Sequence, residues 1–313
     1  MDCKEEIRNG YFISSEMKKV WAVQMDICKK IFEVCNKYNI RIVCSGGTAI
    51  GVFREHGYIP WDDDIDLEML REDYDKLCSV AEKEFKEPYF FQNAFTDKGY
   101  CYGHAQVRKS GTAAILKGDV FKNIHLGIFV DIFVLDTVPA SSQELQVLRE
   151  KTSLLQEAMF FKSFEHIYME NFKNYIRHFL KYIQFLPFSI PSLYHKYETL
   201  FRNVKNPLSD EVCTMAFTWK SLKYGIRNKS MMDKITWLPF EDMLMPVPDK
   251  CAEILTRQYG DFMKPAKAPS MHGGFLVLDA EHDYHTYLPE LRKKALKHRF
   301  KRLLIQFGFR KNE

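Results

Sequence analysis

Residues 45–69 read SGGTAIGVFREHGYIPWDDDIDLEM. A short run rich in Ile and Val at 40–44 leads into them and predicts a strand. Gly46 and Gly47 follow, then a helix-like segment from 48 to about 55, then a loop punctuated by Gly57 and Pro60. Residues 65–70 return to strand character, with acidic and apolar positions alternating. Asp64 and Asp66 stand two residues apart there, so both carboxylates are expected on one face. Two like charges so close raise each other's pKa unless a cation lies between them. The economical reading is a hard divalent cation held by oxygen ligands.

A third carboxylate comes from residues 127–135, GIFVDIFVL, where Asp131 is the one charge in an otherwise apolar strand candidate. Such an Asp is costly unless it is paired or metal-bound. Three strand-borne carboxylates meeting at Mg2+ suit phosphoryl chemistry, in which the metal bridges substrate oxygens and neutralises developing charge. Gly46 and Gly47, at a strand-to-helix junction, let the backbone approach a phosphate with helix N–H groups facing it. Arg54 follows on that helix and offers bidentate contacts to phosphate oxygens. Trp61 is expected to pack under the acidic loop.

The rest of the chain frames this centre. Hydrophobic residues are 46% and charged residues 27% of 313, a core-forming profile that excludes disordered, collagen-like and multi-span membrane classes. None of the eight cysteines forms a C-x-x-C pair, so a reducing, cytoplasmic setting is expected rather than a zinc knuckle or disulfide scaffold. The charged start, 1–10, has no apolar core of a signal peptide. Residues 16–38 predict an amphipathic helix capped by Ser14 or Ser15 and ended by Asn39; residues 71–86 predict another. Short β-like runs occupy 89–115, helical patterning dominates 141–205, and a further helix is expected near 249–259.

Net charge is +4, yet residues 291–311 hold nine Lys or Arg and no acid, leaving the remainder at −5. A nucleic-acid binder more often spreads positive charge over the fold, so no nucleic-acid partner is expected. No run of eighteen apolar residues spans a bilayer. Residues 172–194, and a tail stripe of Leu296, Phe300, Leu303 or Leu304, and Phe307, instead suit peripheral contact with anionic lipid.

The order strand, Gly-Gly, helix, D-x-D strand and later h-D-h strand resembles the nucleotidyltransferase fold. More narrowly, residues 46–77, GGTAIGVFREHGYIPWDDDIDLEMLREDYDKL, resemble the LicD family of phosphotransferases, which includes fukutin and its relatives. Residues 127–136 carry a second match and residues 239–263 a third, weaker one. Val134 stands where the family commonly has Pro, and residues 264–266 match the usual Pro-Pro only in part.

The resemblance implies an α+β fold: a nucleotidyltransferase-like mixed-sheet core over 1–140, a mostly helical region over 141–290 on the acceptor side, and a basic tail over 291–313. It implies transfer of a phosphate ester from a CDP-activated donor to a hydroxyl of a cell-surface glycan or its lipid-linked precursor, at the inner membrane face. CDP-choline is the first donor, with ribitol or glycerol phosphate transfer, or nucleotidyl transfer from a nucleoside triphosphate, as alternatives. Asp64 and Asp66 then hold Mg2+ or Mn2+, and Asp131 is a further ligand or the general base. Gly46, Gly47 and Thr48 cradle phosphate, Arg54 offsets its charge, and Arg108 and Lys109 meet a second phosphate. Asp62 and Asp63 read as outer groups, and Asp136 as a turn former or a ligand. A trimethylammonium head needs an aromatic cage, for which Tyr100, Tyr102, Trp219, Tyr224 and Trp237 are candidates. His56 and His272 fall near the motifs.

Overall fold

The computed structural model describes residues 1–163, 172–216, 225–266 and 274–306. A hairpin of β1 (Glu6–Arg8) and β2 (Tyr11–Ile13) leads into α1 (Ser15–Tyr38). The Ser14 side chain accepts from the Met17 N–H at 3.2 Å, and Asn39 ends the helix in left-handed geometry at φ 50°, both as the sequence predicts. Next come β3 (Val43–Cys44), α2 (Gly46–Ile50), a π-helical turn at Gly51–Glu55, β4 (Asp66–Leu70) and α3 (Arg71–Glu84). The strand expected at 65–70 begins at Asp66, so Asp64 lies just before it.

The middle of the chain supplies β5 (Tyr89–Gln92), β6 (Ala105–Lys109), β7 (Ala113–Leu116) and β8 (Phe129–Thr137), then α4 (Ser142–Ser163), α5 (Phe172–Tyr182) and α6 (Ile190–Arg202). Strands β9 (Glu211–Thr214) and β10 (Arg227–Asn228) precede a hairpin of β11 (Ile235–Phe240) and β12 (Met243–Pro248). The chain continues through α7 (Cys251–Tyr259), β13 (Phe275–Asp279) and α8 (Leu288–Gln306). The expected α+β class is the one observed.

Strand β8 organises the main sheet. It runs parallel to β4 on one side; on the other, β6 pairs antiparallel with its first half and β9 with its end. Eight of its nine residues are buried, which is why the sequence there is almost wholly apolar. Ile65, Leu67, Met69, Val130, Ile132 and Val134 share one core with Val20, Trp21, Ile27 and Ile31 of α1. Alternation therefore turns Asp66, Glu68, Asp131 and Phe133 to the other face. The sheet draws on both sides of position 140, because β9 joins it.

Helices α4 and α6 carry a second cluster, with Leu148, Leu155, Met159, Leu193, Tyr194 and Tyr197 buried together. Arg71 stitches this layer to the sheet: Nε and Nη2 donate to Asp136 at 2.7 and 2.8 Å, and Nη1 donates to Glu198 at 2.8 Å. Asp136 is thus a buried ion-pair partner, neither the turn former nor the ligand considered from sequence. The start of α8 packs Leu288 and Leu291 against the cluster of Ile115, Val120 and Phe121, while Leu296 and Phe300 farther along are exposed. Among the described residues no helix is long and apolar enough to cross a membrane.

A half-buried histidine, His125, makes stability depend on pH. His125 Nδ1 accepts from the Gly127 N–H at 3.2 Å, and Nε2 meets Ser110 Oγ at 3.1 Å, which fixes a neutral ring. Burial, then the nearby Arg108, pushes its pKa down from 6.5 to about 4. Below 6.5 the unfolded chain takes up a proton that the folded chain refuses, so this contribution is whole above pH 6.5 and declines toward pH 4. At about 1.4 kcal/mol per pKa unit the decline approaches about 3 kcal/mol. His125→Gln lacks this component, so denaturant melts should show the stability gap between native chain and variant narrowing by that amount from neutral pH to about pH 4. A gap independent of pH would contradict the assignment.

Candidate active site

The parallel register places Asp66 of β4 directly beside Asp131 of β8. Asp64 joins them from the preceding loop: one carboxylate oxygen each of Asp64, Asp66 and Asp131 lie within 4.8 Å of one another. Asp131 is 3% exposed, and its Oδ1 accepts from Gln106 Nε2 at 2.6 Å and meets His104 Nε2 at 3.0 Å. Glu68, next on the same face, is neutralised by a buried ion pair with Arg227 and accepts from Ser45 Oγ at 2.8 Å. No such cation stands within ion-pair distance of Asp66 among the described residues. Loss of water pushes the Asp66 carboxyl well above its ordinary range, and Asp64 and Asp131 push it further. An all-oxygen, like-charged donor set of this kind fits a hard divalent cation, which removes that repulsion.

Helix α1 holds the acidic loop by its backbone. Trp21 Nε1 donates to the Asp62 carbonyl at 3.0 Å, and Gln24 Nε2 donates to the Asp63 carbonyl at 2.8 Å. Asp62, Asp63 and Asp64 also lie within 4.8 Å of one another by one oxygen each. Trp61 packs edge-on against Tyr11, ring centroids 6.0 Å apart.

The two glycines make room for these acids. Gly46 has φ +51°, and a methyl there would stand 3.4 Å from Asp66 Oδ2 and 3.5 Å from the Tyr259 hydroxyl. A methyl on Gly47 would lie 2.8 Å from Asp62 Oδ2. The close approach at this junction is therefore made by the protein's own carboxylates. Thr48 is buried, and its hydroxyl accepts from the Asp66 N–H at 2.9 Å, tying α2 to β4.

The basic candidates are engaged elsewhere. Arg54 donates through Nε to Glu55 at 2.7 Å and through Nη1 to the Phe262 carbonyl at 2.8 Å, pinning the π-helical turn to the segment after α7. Arg108 is 2% exposed, and its guanidinium donates to Gln92, to the Gly127 carbonyl and to Gln106. It is an internal hub rather than a group offered to phosphate. Lys109 alternates to the opposite face from Gln106 and Arg108, where it pairs with Asp26 of α1.

The aromatic candidates scatter likewise. Tyr100 is fully buried and presents no face to a ligand. Tyr102 gives its hydroxyl to Asp119 at 3.0 Å and its ring face to Lys122, 4.6 Å from the centroid, so it already carries the chain's own cation. Trp237 lies on the β11–β12 hairpin, edge-on to Phe32. His56 is exposed and closes the π-helical turn. Trp219, Tyr224, His272 and Phe307 lie outside the described residues.

Sequence reading missed His104, Gln106, Glu68, Arg227 and Tyr259. The signal for Gln106 was present: polar Gln106 and Arg108 alternate with apolar Ala105 and Val107 along β6. Tyr259 is half exposed overall, but its hydroxyl end lies inward beside Gly46, and its pKa is raised by loss of water and then by Asp66, Glu68 and Asp62.

Residues 39–192 match the family model described as LicD/FKTN/FKRP, nucleotidyltransferase domain. Over those residues the chain carries a LicD-family nucleotidyltransferase domain. It is 26% identical over 253 residues to the lipopolysaccharide cholinephosphotransferase LicD of Haemophilus influenzae, covering 77% of this chain and 90% of that relative. The matched segment of the family model contains all three clustered aspartates.

The glycine geometry is testable by thermal melts. Gly46→Ala forces an L side chain into a left-handed conformation and should cost about 1 kcal/mol. Gly47→Ala should displace Asp62, and the measurement is a crystal structure of the variant with the Asp62 carboxylate moved from its native position; an unmoved carboxylate would contradict the contact.

Proposed function

We propose that this chain transfers phosphocholine from a CDP-activated donor to a hydroxyl of a glycan. The observation that carries this reading is the in-register pairing of Asp66 with Asp131, with Asp64 within reach of both. The choline half is supported by the cholinephosphotransferase activity for which the Haemophilus relative is named. Asp64, Asp66 and Asp131 are the residues that would hold Mg2+ or Mn2+, which when bound supplies charge neutralisation on the donor's phosphates.

In the transfer, the acceptor oxygen forms a bond to the phosphorus that bears choline. The bond from that phosphorus to the bridging oxygen breaks, CMP departs with the electron pair, and the hydroxyl proton is lost to solvent. An acidic oxygen that already accepts hydrogen bonds is a weak base. The donors on Asp131 Oδ1 therefore favour the ligand role over the general-base role considered from sequence. The Tyr259 hydroxyl lies beside Gly46, on the same side as the Asp66 carboxylate.

Purified chain is to be incubated with CDP-choline, CDP-ribitol, CDP-glycerol and nucleoside triphosphates. The expected outcome is Mg2+-dependent CMP release from CDP-choline, abolished by EDTA and reduced at least a thousandfold in Asp64→Ala, Asp66→Ala and Asp131→Ala. CMP from a CDP-polyol instead would shift the transferred group, and pyrophosphate from a triphosphate would replace the reaction by nucleotidyl transfer. Full activity of Asp66→Ala in excess EDTA would end the metal reading.

The acceptor reading extends to a surface. Leu296 and Phe300 are 45% and 65% exposed on the basic helix α8, and Ile176, Leu180 and Ile183 are exposed on and just after α5. Apolar side chains among Lys and Arg suit peripheral contact with an anionic bilayer, where lipid-linked glycan acceptors reside. Leu296→Glu with Phe300→Glu should reduce sedimentation with anionic vesicles severalfold at low salt; equal pelleting of native and variant chains removes α8 from this role.

A further inference from the structure

We propose that Gln106 and Arg108 are positioning residues that set the orientation of the Asp131 carboxylate. This inference rests on the metal-site reading above and deepens it. Gln106 sits opposite Asp131 in the β6–β8 register, on the side away from Asp66. Asp131 is therefore flanked by an amide donor on one strand and a carboxylate on the other. Arg108, two residues along β6, shares the face of Gln106.

The chemistry of the groups fixes the direction of every bond. A guanidinium only donates. Arg108 Nη2 donates to Gln106 Oε1 at 2.6 Å, so the oxygen of that amide must face Arg108 and its NH2 must face Asp131, to which it donates at 2.6 Å. The same logic holds one step farther out. Arg108 Nε donates to Gln92 Oε1 at 2.5 Å, and Gln92 Nε2 donates to Asp97 Oδ2 at 2.8 Å and the His125 carbonyl at 3.1 Å. Arg108 thus determines which way both amides point, and neither can flip without placing NH2 against a cation.

The arrangement is costly to build. Gln92, Gln106 and Arg108 are 0%, 5% and 2% exposed, and the guanidinium has three neutral acceptors and the face of Phe129 at 4.7 Å as its direct partners. A buried charge held by neutral groups is an expensive way to stabilise a strand, for which apolar side chains would serve. What it gives in return is rotational control. With Oδ1 tied by Gln106 and met by His104, the carboxylate cannot turn about its Cβ–Cγ bond without breaking both contacts. That turn is the motion that would take its oxygens out of reach of those of Asp64 and Asp66. Partners of this kind behind a metal ligand typically change metal affinity or activity by about 10–100-fold when removed.

The test is Gln106→Leu, which keeps the volume and removes the donor. Mn2+ binding is measured on the full chain by electron paramagnetic resonance, alongside kcat, the acceptor KM and the melting curve. The expected result is a folded chain with Mn2+ affinity weakened about tenfold or more, kcat lowered about 10–100-fold and acceptor KM within about twofold of native. A merely structural role would move the melting curve and leave Mn2+ affinity and kcat per folded molecule unchanged. If Gln106→Leu does not fold, Gln106→Asn decides by the same criteria, since its shorter amide cannot span Arg108 and Asp131 together. A folded variant with Mn2+ affinity and kcat within about twofold of native overturns the positioning role alone. A native chain that binds no Mn2+, or an Asp131→Asn chain that binds it undiminished, overturns the metal reading and this inference with it.

Discussion

Everything at the centre of this molecule depends on one strand pairing. The parallel register of β4 and β8 puts Asp66 beside Asp131 on the face away from α1. Neighbouring strands stand about 4.8 Å apart, so two carboxylates there repel strongly in a site poor in water. A sheet tolerates that only if the charge is answered. Glu68, two residues on, shows the local alternative, for Arg227 answers it directly. Asp66 has no equivalent within the described residues, and loss of water first, then repulsion by Asp64 and Asp131, raises its pKa. The fold therefore gathers, beside buried polar groups that the protein answers itself, a set of oxygen donors whose mutual repulsion a cation or a proton would relieve.

The surrounding structure keeps that point in place. Trp21 and Gln24 of α1 hold the acidic loop by its carbonyls. Gly46 and Gly47 let Asp62 and Asp66 come close to the start of α2. Thr48 binds the Asp66 N–H, and Arg54 ties the following turn to the segment beyond α7. Arg71, through Asp136 and Glu198, fastens the helical layer to the strand that bears Asp131. Several polar residues that a motif reading assigns to substrate thus build the frame in which the carboxylates sit.

The sequence announced the parts whose signals are local. α1 was readable because its cap, its spacing and its terminating Asn39 all lie within the helix. The D-x-D alternation and the apolar run around Asp131 were readable because a two-residue period assigns faces without knowledge of the partner strand. What stayed hidden depends on pairing across distance. The partnership of Gln106 with Asp131 exists only because β6 and β8 meet in one antiparallel register. Arg108 and Lys109, adjacent in a basic-looking turn, separate to opposite faces once β6 forms, and each then finds a different partner. The prolines of the β11–β12 hairpin concealed two strands, because Pro246 and Pro248 there pair with Trp237 and Ile235 in a sheet of only two strands.

The most direct test of the central claim is anomalous diffraction at the manganese edge from crystals of the full chain soaked with Mn2+ and CDP. The account predicts a single strong peak in direct contact with carboxylate oxygens of Asp66 and Asp131. A strong peak elsewhere, with none between those two strands, would contradict it.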